Sequence, residues 1–265
     1  MTSYRADDSR AMLCKVPEIT LYFWFIKVMA TTVGETAADY LNFKLGFGLT
    51  GTTFVMSALL VAALVYQVAL RRYVPWAYWL AVVLISIVGT LITDNLTDRF
   101  GVPLEFSTMA FGILLAVTFA LWYASERTLS IHSIFTTKRE VFYWAAILFT
   151  FALGTASGDW ATEGIRLGYL QGTLIFGALI ALTTYLYYSQ MIGAVLGFWI
   201  AYVLTRPLGA SIGDLLTQSN SDGGLGISST LVNAAFFVVI IVLIGYLTAS
   251  RVDQPAQAED EAARG

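Results

Sequence analysis

Eight apolar stretches dominate the chain, at about 19–41, 47–70, 75–97, 104–124, 140–161, 167–189, 192–216 and 228–249. Each is close to the roughly 20 apolar residues that a membrane-spanning helix requires. Transmembrane strands need alternating segments of about 10 residues, and these runs are too long and too continuous for that. Polar residues collect in the short connections, of which only 125–139 and 217–227 have any length. The pattern predicts an all-α integral membrane protein with eight transmembrane helices. It divides into an N-terminal segment (1–18), a first half (19–124), a linker (125–139), a second half (140–249) and a disordered tail (250–265).

The odd-numbered spans share an internal repeat. Each has a Trp, a Gly ten residues later, and an Asp five residues after that: Trp24, Gly34 and Asp39; Trp79, Gly89 and Asp94; Trp144, Gly154 and Asp159; Trp199, Gly209 and Asp214. A small polar residue follows three positions on, at Asn42, Thr97, Thr162 and Thr217. The even spans repeat more loosely through Gly51-Thr52, Ser107-Thr108, Gly172-Thr173 and Ser229-Thr230. Each repeat is therefore two helices. An even number of crossings makes all four repeats enter the membrane in the same direction, so they are expected to be related by an axis along the membrane normal. At 1.5 Å per residue each Asp lies about 22 Å beyond its Trp.

Composition narrows the class of protein. The chain is 57% hydrophobic and 12% charged, with mean hydropathy +0.71. About 25% charged residues is usual for a soluble domain, so a cytosolic enzyme and a nucleic-acid binder are both excluded. A single cysteine, Cys14, excludes a disulfide scaffold. Lys and Arg are unevenly placed: ten lie on the side of the termini, three (Lys44, Arg99 and Arg166) on the other, and Lys27 and Arg206 lie within spans. The positive-inside rule then puts both termini in the cytoplasm.

The repeated aspartates carry the functional expectation. A carboxylate deep in a bilayer costs about 2.5–3.5 kcal/mol even on the lenient insertion scale. Four at one level call for water, a cation or a shared proton. Further acids stand one helical turn away, in the pairs Glu35/Asp39, Asp94/Asp98 and Asp159/Glu163, and such pairs share a helix face. Threonines at 36, 90, 93, 97, 155, 162 and 217 add neutral oxygens near that face. Carboxylates with neutral oxygens suit hard cations. The other reading is that the aspartates simply end the helices at the outer interface. His132 and Cys14 are expected to be bystanders. The glycines form small-x-x-x-small pairs that let helices approach closely.

Lys27, three residues past Trp24, is expected to snorkel to the interface. Arg206 is deeper and is expected to pair with Asp159, Asp214 or another buried carboxylate, as a structural pair or a switch. Trp24, Trp79, Trp144 and Trp199 read as an interfacial aromatic belt, or as an aromatic ring around an inner vestibule that attracts cations.

The fourfold Trp-x9-Gly-x4-Asp pattern resembles a bacterial membrane-protein family of four tandem two-helix repeats, the DUF347 repeat. The resemblance covers about 19–249 and implies the fold and a place in the bacterial inner membrane, but no activity. Ser157-Gly158-Asp159 and Ser211-Ile212-Gly213-Asp214 also resemble the Gly-Asp motifs of small divalent-metal and proton exchangers, without the Lys or Arg after them and the Glu before them. The leading expectation is a transporter of small hard cations, a divalent metal such as manganese foremost, with proton-coupled export. Asp39, Asp94, Asp159, Asp214 and Glu35 would hold the ion, and Arg206, Lys27 and the tryptophans would gate or couple. The alternatives are a passive cation channel or organic-cation pathway lined by Trp, and a non-transporting scaffold. The expected partners are the bilayer and the cation, with a homo-oligomer left open and no resident cofactor. No nucleophile and base pair or nucleotide loop points to an enzyme.

Overall fold

The computed structural model describes residues 14–44 and 48–254. Its eight long helices are α1 (Leu21–Asp39), α2 (Gly48–Ala69), α3 (Pro75–Asp94), α4 (Leu104–Glu126), α5 (Thr137–Asp159), α6 (Tyr169–Tyr188), α7 (Ala194–Thr217) and α8 (Ser229–Ser250). No strand occurs among the described residues. Their ends follow local chemistry. The Thr20 and Thr136 hydroxyls accept from Phe23 N and Arg139 N at the starts of α1 and α5, and Pro75 opens α3, where its missing N–H is harmless. Arg127 and Arg251 take left-handed backbone just past α4 and α8, which puts positive charge at the negative end of the helix dipole.

Seven of these helices are long and apolar enough to cross a membrane, so the protein is multi-pass. The exception by composition is α1, whose 19 residues carry Lys27, Glu35 and Asp39; Lys27 and Glu35 are buried within the protein, so the polarity that lowers its hydropathy points inward.

The odd helices form the interior and the even helices the exterior. Helix α3 is buried along most of its length, whereas in α6 only Gly172 and Thr183 are buried. Helix α1 packs against α3, α3 against α5, α5 against α7, and α7 against α1. On this ring α2 lies against α3, α4 against α5, α6 against α7, and α8 against α1. The repeated glycines mark every inner seam. A Cβ on Gly34 would collide with Ser86, one on Gly89 would stand 2.8 Å from Phe151 Cβ, one on Gly154 would collide with Arg206, and one on Gly209 with Thr31. Each glycine thus admits the next odd helix, and the fourth admits the first. Close approach of this kind is how helices associate where lipid removes the hydrophobic drive.

The first and last described residues fold against the Trp-bearing end of the bundle. Lys15 is fully buried, pairing with Glu140 at 2.7 Å and donating to Val68 O at 2.9 Å. Cys14 is buried beside Val16 and Ile131. The expectation of a disordered tail fails at its first residues. Asp253 is buried, Tyr73 donates to its Oδ2 at 2.5 Å, and Glu18 N donates to its backbone carbonyl at 3.0 Å. These bonds hold 251–254 in place, while 255–265 and 1–13 lie outside the described residues.

Burial pushes the Asp253 carboxyl above the usual carboxylate range, partly offset by the Tyr73 bond. A carboxyl that holds its proton more tightly when docked stabilises the docked tail fully below the free value of about 3.9, and loses that contribution as pH rises through its raised value. Amide exchange at Arg251–Gln254, corrected for intrinsic rate, is therefore expected to be slower at pH 5 than at pH 8. Asp253→Asn should flatten the dependence, and an unchanged profile in that variant would refute the assignment.

Candidate functional site

The helical interior is layered, and the layers follow the repeat. At one end lies an aromatic ring that the sequence reading caught only in part. Each Trp is preceded by Phe or Tyr, and that preceding ring touches the Trp of the next repeat. Phe23 meets Trp79 at 5.5 Å between centroids, Tyr78 meets Trp144 at 5.5 Å, Tyr143 meets Trp199 at 6.3 Å, and Phe198 meets Trp24 at 5.8 Å. The eight rings interlock into a closed circuit. The Tyr78 and Tyr143 hydroxyls bond each other at 2.5 Å inside it. Trp79, Trp144 and Trp199 are buried, and only Trp24 is partly open. This corrects both readings of the tryptophans. A belt faces lipid and a vestibule ring stands open, whereas these rings pack against one another, edge to face within each repeat and tilted between repeats.

Above the ring lie the two intramembrane cations. Lys27 does not snorkel: it is 0% exposed, and its Nζ stands 3.7 Å from the Phe151 ring centroid and 4.2 Å from that of Tyr202. The correction follows from rotation of the helix. Lys27 is on the inner face of α1, so its stem reaches the aromatic interior, where π-faces receive a cation, rather than the interface. Arg206, also 0% exposed, pairs with Glu35 at 2.8 Å. It also donates to the Thr90 hydroxyl, which itself donates to Glu35 Oε2 at 3.3 Å. Of the expected partners it is the other buried carboxylate that Arg206 meets, rather than Asp159 or Asp214.

Beyond the Arg206–Glu35 pair the interior opens into a polar cavity of about 130 Å³. Asp39, Asp94, Asp159 and Asp214, one from each repeat, all line it. Glu35, Asp98, Asn42, Thr97 and Gln218 complete its polar wall. The structure thus brings the four repeated aspartates to one chamber, with Glu35 facing both the chamber and Arg206. Asp98 and Gln218 belong to the wall through their position one turn past a repeated Asp. The threonines mostly turn elsewhere: Thr93, Thr155, Thr162 and Thr217 bond backbone carbonyls one turn back, and Thr36 bonds Asn233. The side chain of Glu163 lies outside the described residues. His132 is half exposed, 3.6 Å from Glu18, and remote from the chamber walls.

The aspartates do not stop their helices. After Asp39, Asp94 and Asp159 the chain continues as a five-residue π-helical turn, at Tyr40–Lys44, Asn95–Arg99 and Trp160–Gly164. Helix α7 carries none and runs on to Thr217. Such turns admit an extra residue into the helix and are frequent at functional sites. Asn42, Thr97 and Asp98, from the first two of these turns, line the chamber.

The carboxylates surround the chamber without clasping a single point. Among the described residues no three His, Cys, Asp or Glu side chains are grouped so as to hold a metal ion together.

The family model described as a Repeat of Unknown Function (DUF347) matches four times, at residues 22–73, 77–128, 142–192 and 197–253. Each match spans one odd helix and the even helix that follows it. No curated protein and no solved structure matches the chain.

Proposed function

The chain belongs to the DUF347 repeat family, and from that premise we propose that it is a membrane transporter of small cations whose binding chamber is the four-aspartate cavity. The observation that carries this reading is convergence: one carboxylate from each repeat lines the same small polar space inside an apolar bundle. Carboxylates crowded in a poorly solvated cavity are stabilised by a cation or a shared proton. That couples ion occupancy to protonation and makes proton-linked export of a hard divalent ion such as manganese the favoured form. The spread of the carboxylates around the wall favours an ion that keeps part of its water shell over one fully stripped by protein ligands.

The closed circuit of glycine seams and aromatic pairs supports four parallel repeats about a common axis normal to the bilayer. The Lys and Arg distribution supports cytoplasmic termini in a bacterial inner membrane. The interlocked rings and the two buried cations beneath the chamber weigh against an open passive channel. They favour a carrier seen closed on the Trp-bearing side. This reading assigns no catalysis.

In liposomes loaded with a manganese-sensitive dye, Asp94→Asn and Asp214→Asn are each expected to cut flux at least about tenfold, equivalent to about 1.4 kcal/mol of lost cation stabilisation. Helical content should be unchanged. Retained flux in the protein with all four aspartates changed to Asn would refute the proposal.

A further inference from the structure

The aromatic circuit is closed all round, yet its outer cover differs from one tryptophan to another. Trp199, on α7, is capped from outside by α4. Phe119 lies 4.8 Å from it and Trp122 5.9 Å, centroid to centroid. The matching place on α1 is over Trp24, and the helix that reaches it is α6. Asp94 and Asp159 are 65 residues apart, as are Ser107 and Gly172. The same step carries Phe119 to Thr184 and Trp122 to Tyr187. A hydroxyl thus takes the place of one ring, and Tyr187 is 44% exposed where Trp122 is 0%.

What two rings fill over Trp199 is left as a groove over Trp24. It lies between α1, α6 and α7, holds about 520 Å³, and has Trp24, Phe198, Thr184, Tyr187 and Tyr188 among its walls. That size falls in the range of about 300–1,000 Å³ usual for small-molecule sites, which are mostly apolar with a few placed polar groups. Glu18 is the one carboxylate that lines it, with His132 3.6 Å away, and no Lys or Arg does so among the described residues. Aromatic faces beside a carboxylate attract an ammonium group. We propose that the groove is a binding site for an aromatic amine, with its ring seated over Trp24 and Phe198 as Phe119 and Trp122 are seated over Trp199, and its ammonium directed to Glu18.

The second repeat shows what such a space accepts, namely flat rings packed on a tryptophan. The acid favours an amine over a plain acyl chain, which would need the apolar wall alone. This site is separate from the four-aspartate chamber. No residue lines both spaces, and the close Gly209–Thr31 seam lies between them. The amine site therefore stands whether or not the chamber carries cations.

Monodansylcadaverine, a fluorescent naphthalene with a primary ammonium, is a suitable probe, titrated against the full chain in nanodiscs with empty discs subtracted. Saturable binding with energy transfer from tryptophan is expected. Thr184→Phe combined with Tyr187→Trp installs the second repeat's rings and is expected to weaken binding at least about tenfold without lowering the Tm. Glu18→Gln alters a partly exposed side chain, so the fold is expected to persist. It should weaken amine binding at least about tenfold and leave unchanged the binding of dansyl pentylamide, the same probe without the ammonium. Equal affinity of the unaltered protein for the two probes would show a groove that takes acyl chains and overturn the proposal. Undiminished amine binding in either variant would overturn it by placing the probe elsewhere. Manganese flux is expected to persist in both variants, and probe binding in the Asp→Asn variants, so the groove and the chamber fail separately.

Discussion

Leucine in place of Gly209 is expected to leave no folded protein, and alanine at the same position to lower the Tm by about 2–12 °C. The Cα of Gly209 is the point where α7 meets α1, and a side chain there runs into Thr31 and the backbone of Thr32. Overpacking a tight interior costs about 1–3 kcal/mol when the neighbours can yield, and for a chain of this size each kcal/mol shifts the Tm by about 2–4 °C. Leucine adds branches that no local shift absorbs. It also pushes apart the seam that closes the ring and breaks the Thr31 and Thr32 bonds to α7. Gly177 provides the control. It lies in α6 with nothing within 4 Å of an added Cβ, so alanine there is expected to be neutral or stabilising by about 1 kcal/mol through helix propensity. Thermal unfolding in detergent compares the three variants. An unchanged Tm in the Gly209→Leu protein would remove the glycine seam from the account of the fold.

The second large effect is at the floor of the chamber. Changing Arg206→Met or Glu35→Leu alone strands a buried charge and is expected to cost about 3–5 kcal/mol, a Tm loss of about 6–20 °C. The double variant should recover much of it, because replacing both members of a buried pair by apolar groups is often neutral or better. A double-mutant cycle by thermal unfolding reads this directly. Additive losses, with no recovery in the double variant, would mean that the two side chains do not act as a pair. The cycle also separates stability from flux. If the pair closes the inner face of the chamber, the recovered double variant is the one expected to leak cations.

The repeat and the spans were legible because they are local. Apolar length and the Trp-x9-Gly-x4-Asp register can be counted along the chain, and the glycine spacing already announces close helix contact. What the chain does not announce is which odd helices become neighbours. Glu35 and Arg206 are 171 residues apart, and only the closure of α7 on α1 makes them a pair. Lys27 was misjudged for the same reason. Three residues from Trp24 it has reach enough to snorkel, and the rotation of α1 decides otherwise. The aromatic circuit was within reach, since Phe23-Trp24, Tyr78-Trp79, Tyr143-Trp144 and Phe198-Trp199 repeat as plainly as the aspartates. The partner of each Trp is the residue before it in a different repeat, which a motif anchored on Trp alone passes over. The π-helical turns depend on backbone register beyond Asp39, Asp94 and Asp159, and no side-chain pattern marks them.

A circuit in which every ring leans on its successor, and the last leans on the first, has no privileged member. Packing alone does not say which hairpin should be translated earliest; only the gene imposes that order. Such an object is what fusion of four identical subunits would leave behind, and yet Lys27 and Arg206 each occur in one quarter and nowhere else. Selection could then set a charge in a single quadrant while leaving the shared scaffold intact, something a symmetric tetramer of one short gene is unable to do.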